Sequence, residues 1–220
     1  MFDVRQATQR RAFLGTLAAG AAALGLSGVP EVLAEPKADV DFDNVLRRLK
    51  GRKHRQLFDA PEPNHGFSVI WSWAFLHTHN SLGVPDKDVA AVVVFRHEAI
   101  PFAMEDRLWE KYKFGEAFKI DDPVTKVPSI RNVVTNIKPE DMPLPDMALE
   151  KIQKRGVEFG VCDLALTVYS SHMAKAMNMN ADDVKKDWVS GILPGFHILP
   201  SGVWAVNRAQ EQGFTYCFAG

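Results

Sequence analysis

Between Asp88 and Phe95 the chain reads DVAAVVVF, an unbroken and largely β-branched apolar run. Such a run predicts a strand covered on both faces, not the alternating strand of a half-solvated sheet. Shorter stretches of strand character recur at His54–Asp59 (HRQLFD), Val157–Cys162 (VEFGVC) and Phe214–Ala219 (FTYCFA). Between them the period lengthens. Phe67–Gly83 (FSVIWSWAFLHTHNSLG) carries apolar side chains at 67, 70, 71, 74, 75 and 82, the spacing of an amphipathic helix, with Gly83 placed to end it. AMEDRLWEKY, MALEKIQKRG, SSHMAKAMNM and the glycine-bounded Gly202–Gly213 segment are helical in the same sense. Strands alternating with helices predict an α/β fold, a three-layer, mostly parallel open sheet with helices on both faces. Lys119–Pro145, rich in Pro, Asp and Asn, reads as a long excursion packed on that domain. Residues 35–53 are charged and irregular and read as a linker with one helical turn around FDNVLRRL, so the folded unit is expected over 54–220.

Composition narrows the possible functions. In 220 residues there are 26 basic and 27 acidic side chains, a formal net charge of −1, and 46% hydrophobic residues. That supports one globular domain with a substantial core. No basic stripe interleaved with aromatics is present, so no nucleic-acid partner is expected.

The first 34 residues form a separate unit. Arg10 and Arg11 precede Phe13 and Leu14, a soft Ala/Gly/Leu run continues to Leu26, and Val32 and Ala34 supply small residues for cleavage. The segment resembles a twin-arginine (Tat) signal peptide; the alternative is an uncleaved anchor. The run is too short and Gly-rich to span well, and no membrane span is expected in the mature chain. The resemblance implies recognition by the Tat translocon, export as a folded protein, and a periplasmic location. Disulfides form in that compartment, and two cysteines allow one intramolecular pair.

The domain itself resembles the DsrE/DsrF-like family over about residues 54 to 220. The likeness is strongest in the tail, where a strand ending in VCDLAL is followed by GFHILPSGVWAVNRAQEQGFTYCFA. Pro200, Ser201, Gly202, Val203, Gln210, Gly213 and Tyr216 match the family pattern, and the helix ending in HNSLG before VAAVVVF agrees with its first half. The departures are the export signal, the long insertion between Trp109 and Pro145, and RHEAIPFAM where relatives carry a glycine-bearing loop. The resemblance implies an open parallel sheet, homo-oligomers (trimers or hexamers), and in some members a cysteine that carries sulfur as a persulfide. Fold-level likeness alone does not establish an activity.

Ligands of open α/β sheets sit beyond the carboxyl ends of the strands. That rule gathers Asp59 with Asn64 and His65 after the first strand, then Arg96, His97 and Glu98 after the second. Cys162 and Asp163 follow the next, and Ser201 and the amide of Gly202 precede the last helix. Cys162 stands where the family's sulfur carrier would be, with Arg96 or His97 as the cation that would stabilise its thiolate and Asp163 opposing it. A small buried residue, a disulfide to Cys217 and a metal ligand are the alternatives. A non-enzymatic site for a small ligand, haem or metal at the same edge is the competing function. His77 and His79 lie two apart on a helix, about 200° around its axis, so they cannot share one metal while the helix continues. Neither a Gly-rich phosphate loop nor a GxSxG elbow is present. Asp106–Pro123, mixing charge with aromatics, is a candidate oligomer contact or lid.

Overall fold

A computed structural model describes residues 39–142 and 145–220; the signal-like segment lies outside them. Five strands form one parallel sheet: β1 (His54–Ala60), β2 (Val89–Phe95), β3 (Glu158–Cys162), β4 (Phe196–Leu199) and β5 (Thr215–Phe218), in the order β4-β3-β2-β1-β5. β2 sits at the centre and every one of its residues is buried, as its β-branched composition requires. The chain steps outward from β1 to β4 and then returns across the sheet, so that β5 pairs with the free side of β1. That reversal makes the carboxyl ends of β1 and β5 a topological switch point, the usual place for a ligand crevice.

Alternate β2 residues feed two cores. Val89, Ala91, Val93 and Phe95 face a layer made by α2 (Phe67–Ser81), α3 (Asp106–Tyr112), α4 (Phe114–Ala117), α5 (Leu149–Lys154), α6 (Asp163–Met177) and α7 (Ala181–Ser190). Ala90, Val92 and Val94 face α1 (Asp39–Leu49) and α8 (Gly202–Glu211). The fold is thus a three-layer α/β sandwich, and among the described residues no helix is long and apolar enough to cross a membrane.

Two local expectations change. Where one helical turn was expected in residues 35–53, α1 runs three turns. Phe42, Val45, Leu46 and Leu49, spaced i, i+3, i+4, i+7, are each no more than 5% exposed against the sheet. Arg208 of α8 clamps Asp43 of α1 through two hydrogen bonds of 3.1 and 2.7 Å. The aromatics of Asp106–Pro123 are spent on the core of the chain itself: Trp109, Tyr112, Phe114 and Phe118 are buried, and Phe114 meets Trp188 of α7 edge-on at 4.9 Å. A disulfide is also ruled out by strand order. Both cysteines are free, and β2 and β1 separate Cys162 on β3 from Cys217 on β5. Three inter-strand spacings of ~4.8 Å exceed the reach of a disulfide about twofold.

The excursion packs down as expected, anchored by Asn132, whose amide donates to the carbonyls of Phe102 and Met104 at 2.9 and 2.8 Å. Arg131 bridges Asp122 and Asp141 beside it.

On the α3–α7 seam, Asp187 accepts hydrogen bonds from Arg107 (2.6 Å), Lys111 (2.7 Å) and the Tyr112 hydroxyl (2.7 Å). Burial pushes this carboxyl up, but the donors Lys111, Arg107 and Tyr112 outweigh it and hold it down to about 2, from an ordinary 3.8. A depressed carboxyl contributes stability that is full above its unfolded value and is lost as pH falls through its folded one. Asp187→Asn should therefore lower the melting temperature at neutral pH. Melting curves recorded from pH 4 downward should show the gap to the parent closing, and it should vanish near pH 2.

Candidate functional site at the strand tips

β1 delivers Asp59 to the switch point, where it is only 2% exposed. A carboxylate there needs partners, and it has three donors. Arg96 Nε donates to Oδ1 at 2.6 Å, Arg96 Nη2 to Oδ2 at 2.9 Å, and the Tyr216 hydroxyl to Oδ2 at 2.9 Å. Backbone hydrogen bonds fix Arg96 and Asp59, from Arg96 N–H to Ala60 O at 3.0 Å and from Ala219 N–H to Asp59 O at 2.8 Å, and β1–β5 pairing sets Tyr216 opposite Leu57. The hydrogen bonds to Asp59 raise the Arg96 pKa above its ordinary value against the opposing effect of burial, with Tyr216 and Cys162 adding smaller attractions. Burial, and then the bond to Asp59, raise the Tyr216 phenol. The result is a guanidinium held rigidly in a fork.

Gly202 opens α8 against that guanidinium. A Cβ at this position would lie 2.6 Å from Arg96 Cβ, so glycine is what lets the helix start approach the arginine stem. Ser201 holds the N-cap position in an extended conformation without capping the helix through its side chain.

Cys162 pairs with Leu199 at the ends of β3 and β4 and is the N-cap of α6, where its Sγ accepts the Ala165 N–H at 3.3 Å. It is 5% exposed, a shallow and nearly covered thiol. Asp163, whose charge stood against a thiolate in the sequence reading, is ion-paired with Lys185 of α7 at 2.9 Å.

Arg96, Gly202 and Ser201 are thus brought together with Asp59 and Tyr216, and Cys162 lies within the field of Arg96. The other expected residues sit apart. His97 has a left-handed backbone (φ 51°), is exposed, and packs edge-on against Tyr169 at 5.6 Å; no hydrogen bond joins it to Cys162 among the described residues. Burial and the neighbouring Glu98 raise that tyrosine to about 12. Asn64 and His65 form, with Gly66, a run of three left-handed residues leading into α2. Gly66 is obligatory there, because a Cβ would fall 2.4 Å from Val134 Cγ1. Tyr216 is legible in the sequence as part of the last strand and of the family-like tail, not as a partner of Asp59; that bond depends on β5 pairing with β1.

The histidines also scatter. His77 stacks on Trp73 at 4.6 Å, while His79 lies against His54 at 4.3 Å and Phe75 at 4.7 Å. Among the described residues no group of three or more His, Cys, Asp or Glu could hold a metal ion. Compared with protein-family models and with curated proteins, the chain matches none.

Proposed function

We propose that the protein handles sulfane sulfur through Cys162, as an exported, DsrE/DsrF-like sulfur carrier. The observation that supports this most is the seat of the sulfur: a strand-tip cysteine that caps a 15-residue helix, accepts a backbone N–H, and follows Val161, whose register partner Phe95 precedes the Arg96 locked by Asp59. The thiolate is the form of a cysteine that attacks sulfur. In the step proposed, the Cys162 proton leaves to solvent and the thiolate attacks a sulfane sulfur of a polysulfide. A Cys–S–S bond forms, the donor's S–S bond breaks, and its electron pair leaves on the shortened polysulfide anion, so no external oxidant is needed. The persulfide anion then lies beside Arg96. With the residue as a whole only 5% exposed, small inorganic donors are favoured over bulky thiols.

Intact mass measured after exposure to polysulfide tests this. The parent chain should gain one sulfur atom, removable by a thiol reductant, and Cys162→Ala should gain none. Equal gain by both, carried on Cys217, would overturn the assignment.

A further inference from the structure

A cavity of about 450 Å³ opens between α2 and α5, away from the strand tips, lined by Trp73, His77, Asp146, Lys151 and Arg155. Its volume is in the range that holds a small organic ligand. Part of the lining is aromatic: the Trp73 indole and the His77 imidazole, one turn apart on α2, are stacked on each other with planes 8° apart and centroids 4.6 Å apart, so a further ring can join only at an outer face of the stack.

Two cations also line the cavity, each paired with a carboxylate. Arg155 is fixed by bonds from Nε and Nη2 to Asp86 (3.0 and 2.8 Å) and from Nη2 to Asn80 (2.5 Å). Among the described residues no acceptor takes its Nη1, so a positioned guanidinium edge is left over. Lys151 pairs with Asp146 at 2.9 Å, but the Asp146 side chain is 83% exposed. Exposed pairs of this kind are worth little, so the ammonium can turn to an incoming anion at small cost.

From an aromatic stack and two cations lining one cavity, we infer that this cavity binds a small planar organic anion, a flat ring bearing one carboxylate or phosphate group. The ring extends the Trp73–His77 stack at an outer face and the anionic group meets Lys151 and Arg155. Stacking supplies recognition of the ring, and the two cations supply recognition of the charge. The site shares no residue with the Cys162 cluster and is independent of sulfur chemistry.

Isothermal titration of the full chain tests this, with indole-3-acetate and adenosine monophosphate as ring-bearing probes and acetate and inorganic phosphate as ring-free controls. At least one ring-bearing anion should bind saturably at one per chain, and which one does separates carboxylate from phosphate recognition. Lys151→Gln and His77→Ala, both at exposed positions, should each weaken binding about tenfold with unchanged melting temperature. Cys162→Ala should bind as the parent does. Absence of saturable binding by both ring-bearing probes would overturn the inference, as would equal binding of the ring-free controls or insensitivity to both substitutions.

Discussion

Arg96→Ala is expected to destabilise the protein by about 3 kcal/mol. Asp59 has its carboxylate 3% exposed, and Arg96 supplies two of its three donors. Truncating the arginine leaves a buried anion with only the Tyr216 hydroxyl, and breaking a buried pair costs about 3–5 kcal/mol. The Arg96 side chain is 27% exposed, so water reaches the vacated space and the lower end of that range applies. For a domain of this size the melting temperature should fall by roughly 6–12 °C. Adding Asp59→Asn to Arg96→Ala should recover part of the loss, because the penalty comes from the stranded charge and not from lost packing. A double variant as unstable as the sum of the single ones would show that the pair contributes only shape.

Asn132→Ala should cost a similar amount for a different reason. The residue is 1% exposed and satisfies three backbone groups: the carbonyls of Phe102 and Met104, and the Val134 amide, which its Oδ1 accepts at 3.2 Å. Each buried group left without a partner costs about 1–3 kcal/mol, so a total of about 3–4 kcal/mol is expected from denaturant unfolding. Asn132→Asp should be at least as damaging, since it turns a donor facing two carbonyls into an acceptor. An alanine variant within experimental error of the parent would mean that the excursion from Lys119 onward is not anchored through this side chain.

The central strands were legible because their composition leaves no alternative; DVAAVVVF can only be buried on both faces. β4 and the full length of α1 were not. β4 is four residues, FHIL, between Pro194 and Pro200, too few to show a period. α1 does carry an apolar i, i+3, i+4, i+7 stripe, but Arg47, Arg48 and the acidic residues around it gave the segment the look of a linker. The site was legible as a set of strand tips and not as contacts. Cys162, Arg96, Ser201 and Gly202 could be gathered at one edge by the rule for parallel sheets. That Arg96 is forked onto Asp59, and that Tyr216 completes the array, follows from β5 adding to the free side of β1, a long-range pairing without a local signal. Likewise, nothing near Asp163 in the chain announces Lys185, which arrives from the following helix and neutralises it.

If Cys162 is the sulfur acceptor, as proposed, a chain in which it is the sole cysteine still takes up sulfur. Cys217→Ser leaves one thiol; its mass should rise by one sulfur atom after brief exposure to polysulfide, with fragment spectra placing the added sulfur on residue 162. The same chain carrying Arg96→Gln should acquire that sulfur more slowly while remaining folded. A Cys217→Ser protein that stays at its starting mass under conditions that persulfidate a small-molecule thiol would contradict the account.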